Sequence, residues 1–125
     1  MRYHDGKITK LEPNEIFCYG ANLAGIHSLG AAKQALKFGA VYGRFGLVGQ
    51  TYGIPTKDKN LKTLPLPVIK SYIDIFEGVV RDRQDLTFLI TKVGCGLANY
   101  QEWQIKPLFQ NFYQFENVVM PIWVD

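Results

Sequence analysis

No part of this chain carries a long apolar run. The longest near its end is "VVMPIWV", far short of the roughly 20 residues a bilayer-spanning helix needs. The opening stretch "MRYHDGKITK" is polar and lacks the apolar core of a secretion signal, so a cytoplasmic, non-membrane protein is expected. Cysteine is scarce, with only Cys18 and Cys95. A structural disulfide is not expected in a reducing compartment, and two cysteines with two histidines give no zinc-ligand spacing, so neither metal nor cofactor is expected. Charge of one sign is also missing, the net charge being +3. The small clusters Lys57, Lys59, Lys62 and Arg81, Arg83 read first as solvated charge, and only weakly as a nucleic-acid surface. A GxxxxGK[ST] phosphate loop is absent, which argues against ATP hydrolysis. The GxGxxG dinucleotide fingerprint fails too, because "GCGLAN" puts Asn99 where its third glycine belongs.

What is present is an alternation. The 125 residues, 47% hydrophobic and 20% charged, suit one globular domain spanning 1–125. "EIFCY" (15–19) predicts a buried strand and "GAAKQALKF" (30–38) a helix. "GAVYGRFGLVGQ", with four glycines in twelve residues, predicts no regular element. "TYGIP" (51–55) predicts a strand closed by Pro55. Ile69, Ile73, Phe76 and Val80 recur at helical steps and predict an amphipathic helix over 67–82. "TFLITKV" (87–93) predicts a strand, "QEWQIKPLFQNFYQF" a helix bent at Pro107, and "NVVMPIWV" a last strand. An extra N-terminal strand is an option. The order β-α-β-α-β-α-β predicts a three-layer α/β/α domain whose sheet is at least partly parallel.

In such sheets ligands bind outside the carboxyl ends of the strands. Three loops here are glycine-rich: Gly20–Gly30, Gly39–Gly49 and Gly94–Gly96. In "VGCGLANY", Gly94 and Gly96 let successive amides converge on an anion, and a helix starting near Gln101 adds its positive end. A tight strand-to-helix turn is the plainer alternative. In "GANLAGIHSLGAAK", the Asn22 amide offers donors and an acceptor to a ligand, or else serves an Asx-turn or helix cap. Gly30 lets a helix begin close to a ligand, or merely close to the sheet. These two loops hold no lysine or arginine up to Ala32 and Gln101, so a bound phosphate would rely on backbone donors.

Candidate catalytic groups are few. His27 reads as a surface-loop histidine or a base, and Asp58 is a second base candidate. Glu102 reads as a surface residue complementing a helix dipole. Cys95 is a candidate nucleophile, since a helix N-terminus lowers a thiol pKa.

The chain resembles the macro domain, a three-layer α/β module that binds ADP-ribose and in some members removes it from proteins or nucleic acids. "GKITKLEPNEIFCYGAN" is similar to the family's Gly-Asp-Ile-Thr start and Ala-Ala-Asn strand end, through Gly6, Ile8, Thr9 and Gly20-Ala21-Asn22. "LAGIHSLGAAKQAL" resembles its first loop and helix, "GRFGLVGQTYGIPT" its middle segment, and Gly94-Cys95-Gly96-Leu97-Ala98-Asn99-Tyr100 its second binding loop. The signatures look closest to small bacterial and phage members.

By that resemblance Asn22 sits near the distal ribose or scissile bond. Gly94 to Leu97 cradle the diphosphate, with help from the Gly25–Gly30 loop. Two positions depart from the family: Lys7 stands where an acid reads adenine, and Ala98 where an aromatic packs on the ribose, leaving Tyr100 as substitute. The implied function is binding of ADP-ribose or a related NAD-derived metabolite, free or on a macromolecule, with or without hydrolysis of ADP-ribosyl bonds. The alternative is a non-catalytic interaction protein that meets a protein or RNA through Lys57–Lys62 and nearby aromatics.

Overall fold

The computed structural model describes residues 1–124. Its elements run β1 (Arg2–His4), β2 (Glu15–Asn22), α1 (Gly30–Ala35), β3 (Gly46–Val48), β4 (Thr51–Lys57), α2 (Leu66–Asp82), β5 (Thr87–Ile90), α3 (Glu102–Ile105) and β6 (Val118–Pro121). The six strands form one sheet in the order β1-β6-β5-β2-β4-β3. Every neighbouring pair is parallel except β3 with β4.

β2 lies in the middle and is buried on both faces. Phe17, Tyr19 and Ala21 pack on one side with Ala32 and Ala35 of α1 and with Leu89 and Val119. Ile16 and Cys18 pack on the other side with Ile69, Ile73, Phe76 and Val80 of α2 and with Ile105, Phe109 and Phe112. The period-2 alternation of strand side chains therefore makes three layers. No described helix is long and apolar enough to cross a membrane.

The glycine-rich middle segment does contain a regular element, contrary to the sequence expectation: Gly46–Val48 is the edge strand β3, paired with Thr51–Gly53. Its neighbour explains why β4 outruns Pro55. β3 spans only three residues, so Pro55, paired on its other side with Ala21, owes no amide bond to that edge. A register shift between Ala21 and Asn22 carries the pairing on to Lys57. The last helix is α-helical for only four residues before continuing as a 3-10 segment, Lys106–Gln114. Pro107 has no N–H with which to extend the α pattern. The N-terminal strand exists, and His4 ties it inward through Nε2, 2.6 Å from the Ile90 carbonyl oxygen.

Burial pushes several acidic groups upward: the Cys18 thiol well above its usual value, the Tyr19 phenol to about 12, and the Tyr52 phenol upward with help from Cys18. In an unfolded chain such groups lose their protons from about pH 8.5 to 10. Above that range the unfolded state holds fewer protons than the native one, so stability falls as pH rises. A lower guanidinium midpoint at pH 10.5 than at pH 8 is the expected result. An equal midpoint would contradict the burial assigned to these side chains.

Candidate functional site

The carboxyl ends of β2, β4 and β5 share one rim, where a cleft of about 510 Å3 opens. Its floor is the strand ends: Gly20, Ala21 and Asn22 of β2, Thr56 and Lys57 of β4, and Thr91 to Gly94 after β5. Its walls are Ile26, Ser28 and Leu29 with the start of α1 (Gly30 to Ala32) on one side, Gly96 to Ala98 on another, and Leu61 on a third. The two glycine-rich loops nearly meet. A Cβ built on Gly30 would lie 3.3 Å from Leu97 Cδ1, and one built on Gly20 would lie 3.4 Å from Gly94 N. Gly30 and Gly94 also have φ of 60° and 77°, backbone that glycine adopts without strain.

Donors collect at these loops. The Cys95, Asn99 and Tyr100 amides are used internally, by the carbonyls of Lys92, Gly96 and Gly94. The amides of Gly96, Leu97 and Ala98 have no such acceptor among the described residues. At the start of α1, Leu29 supplies no side-chain cap, so the first-turn amides of Gly30 and Ala31 stay uncapped.

Two lysines, Lys57 and Lys92, line the cleft, and no carboxylate does. Lys92 Nζ lies 3.1 Å from Glu102 Oε1, whereas Lys57 has no carboxylate partner among the described residues. Unpaired backbone donors plus cationic side chains, with no anion among the lining groups, make a site suited to negative oxygens.

The sequence-predicted residues divide. Gly20, Ala21, Asn22, Gly30, Gly94, Gly96 and Leu97 all line the cleft; Gly25, His27, Asp58, Cys95 and Tyr100 do not, nor does Lys7. Asn22 serves the loop as well as the cleft. Its Oδ1 accepts from the Ile26 amide at 3.0 Å and its Nδ2 donates to the Ile26 carbonyl at 2.9 Å, which leaves one amide hydrogen for a ligand. Gly25 works behind the loop: its carbonyl accepts from Gly43 N at 2.8 Å. Tyr100 donates its hydroxyl to the Leu64 carbonyl at 2.6 Å, bracing the second loop from outside.

Several expectations need correction. His27 is not a surface histidine. It is 2% exposed, with Nδ1 2.9 Å from the Ala32 carbonyl, Nε2 3.4 Å from that of Arg44, and the rings of Tyr19 and Tyr42 beside it. It pins the first loop and is not among the residues that line the cleft. Cys95 is no activated nucleophile. Burial, with the Glu102 carboxylate adding to it and the Lys92 ammonium only partly opposing, pushes its thiol up to about 11. Asp58 Oδ1 is spent on the Asn60 and Lys62 amides. Glu102 pairs with Lys92 and accepts from the Val124 amide, so it holds chain segments together. The third glycine run stays out of the lining: Gly43 backs Gly25, while Gly39 and Gly49 press together at the amino end of β4.

Lys57, Lys92, Thr56 and Thr91 also line the cleft, and glycine content does not mark them. Their signal is position: Thr56 and Lys57 lie just past the predicted strand 51–55, and Thr91 and Lys92 fall in the last residues of the predicted strand 87–93. Thr56 and Thr91 donate to the carbonyls of Ala21 and Cys18 and so lock the floor. Lys57, which the alternative reading places on a partner-binding surface, lines the cleft.

No family model and no curated protein sequence matches the chain. Solved structures do. One is the macrodomain of Mycobacterium tuberculosis DarG, with a TM-score of 0.69, 18% identity, and 96% of this chain and 95% of that one covered. Another is a protein of unknown function from Bacteroides thetaiotaomicron, with a TM-score of 0.66, 10% identity and coverage of 98% and 95%. At such identities the likeness is one of fold. The mixed six-stranded sheet with helices on both faces is an architecture this chain shares with a macrodomain.

Proposed function

We propose that the cleft binds a nucleotide-diphosphate ligand, ADP-ribose or a related NAD-derived metabolite, either free or attached to a macromolecule. The observation that carries this reading is the lining: unpartnered amides at Gly96 and Leu97, a lysine without a carboxylate partner among the described residues, and no acid among the lining residues. The macrodomain-like fold and the macro-domain resemblance of the loop sequences support it. A volume of about 510 Å3 falls within the roughly 300–1,000 Å3 of small-molecule clefts. Gly94 to Leu97 would hold the diphosphate and Lys57 would neutralise it. The remaining Asn22 amide hydrogen would reach a ribose hydroxyl.

Among the described residues that line the cleft, Lys57 and Lys92 are the side chains that carry an ionisable group. Any cleavage of an ADP-ribosyl bond here would therefore draw its proton transfer from a lysine or from the ligand's own phosphate. Release of ADP-ribose from modified protein or nucleic acid measures that step directly.

Calorimetry with ADP-ribose tests the binding. The wild type is expected to bind, and Lys57→Met to weaken binding about tenfold, as a charge-assisted bond contributes roughly 1.5–3 kcal/mol. Lys59→Glu, on the exposed tip of the neighbouring hairpin, should leave binding nearly unchanged. If Lys59→Glu abolishes binding while Lys57→Met is silent, the ligand sits on the outer lysine surface and the cleft reading fails.

A further inference from the structure

The hairpin beside Lys57 carries a side chain its backbone does not favour. Lys57 bridges Thr63, and Asp58 N donates to the Lys62 carbonyl at 2.8 Å, so Lys59, Asn60 and Leu61 form a three-residue loop. The last position of such loops adopts the left-handed conformation and is ordinarily glycine. Here it is Leu61, with φ of 63°. Asp58 holds it there. Asp58 Oδ1 accepts the Asn60 and Lys62 amides at 2.8 and 3.0 Å, and the Asp58 carbonyl accepts the Leu61 amide at 3.1 Å. Thr63 Oγ1, donating to the Ala98 carbonyl at 3.1 Å, fastens the hairpin to the second loop.

Leu61 is consequently fixed in the cleft wall while 44% exposed. Ile26, Leu29 and Leu97 line the same cleft and are also exposed. A cluster of uncovered aliphatic side chains around a groove marks ligand contact. A bare diphosphate offers them nothing to bury, whereas a diphosphate carrying a flat base does.

We propose, given the diphosphate reading of the cleft, that Leu61 is a specificity-determining residue that selects base-bearing diphosphates over bare ones, and that Asp58 is its positioning residue. The aliphatic wall grips the face of the base, and Asp58 contributes acceptor geometry rather than charge.

Affinities for ADP-ribose, and for inorganic pyrophosphate by competition, measured on the full chain, test both roles. Asparagine tolerates the left-handed region, so Leu61→Asn keeps the loop while removing the apolar wall. The ratio of ADP-ribose to pyrophosphate affinity is expected to fall about tenfold in Leu61→Asn and in Asp58→Ala. Asp58→Asn keeps the Oδ1 acceptor and should restore the wild-type ratio. An unchanged ratio in Leu61→Asn overturns the Leu61 assignment even if Asp58→Ala fails to fold. A ratio as low in Asp58→Asn as in Asp58→Ala overturns the positioning role. Binding of neither probe by the wild type would refute the diphosphate reading itself, and the selection with it.

Discussion

Gly96→Val should abolish ADP-ribose binding, by at least about a hundredfold, and leave the melting temperature almost where it was. Gly96 lines the cleft, and its φ is outside the left-handed region, so a branched residue can adopt its backbone. A Cβ placed there meets no atom within 4 Å. The new side chain thus enters open space without disturbing the fold, and that space is where a diphosphate would reach the Gly96 and Leu97 amides. Losing two charge-assisted bonds at roughly 1.5–3 kcal/mol each accounts for the predicted factor. The measurement is calorimetry beside a thermal melt. A folded variant with wild-type affinity would show that the ligand does not use this loop.

Gly25→Ala is expected to do the reverse and act through the fold. Gly25 has φ of 69°, where an alanine costs roughly 1–2 kcal/mol. Its Cβ would stand 2.4 Å from Gly43 Cα, 2.6 Å from Gly43 C and 2.7 Å from Gly43 N. Those are backbone atoms and cannot swing aside, so the bond from Gly43 N to the Gly25 carbonyl must break or the two loops must separate. A loss of at least about 3 kcal/mol follows, out of the roughly 5–15 kcal/mol that domains possess, which corresponds to a melting temperature lower by about 10 °C or more. Gly43→Ala is the control. Its φ is 86°, but its Cβ meets nothing within 4 Å, so it carries the conformational cost alone. Equal melting temperatures for the two variants would show that the Gly25–Gly43 contact is not close-packed. Because the same loop bears Asn22 and Gly30, any folded Gly25→Ala protein should also bind poorly.

These glycines show how far sequence reading reaches. That glycine-rich corners follow β2 and β5 was legible, and both corners contribute residues to the cleft lining. What each glycine does was not legible. Gly25 and Gly96 look alike on paper, yet one faces backbone at 2.4 Å and the other faces open space. The same holds for His27 and Lys57. A histidine in a polar-looking loop turned out to be enclosed between Tyr19 and Tyr42, and a lysine that resembled solvated charge turned out to line the cleft. Burial of a single side chain depends on partners remote in sequence. Periodicity, the strongest signal a sequence offers, says nothing of them.

By itself the sequence determined the alternation of strands and helices, the buried stripe Ile69, Ile73, Phe76, Val80, and the two-faced burial of β2. Each of these rests on a local repeat that must match its element's pitch to hide apolar area. Only the tertiary structure decided the strand order β1-β6-β5-β2-β4-β3. Setting β2 between β5 and β4 brings residues 20–32, 56–61 and 91–98 to one rim. Contacts across such distances come from sheet pairing and layer packing summed over the whole domain, and no short window of residues contains that sum.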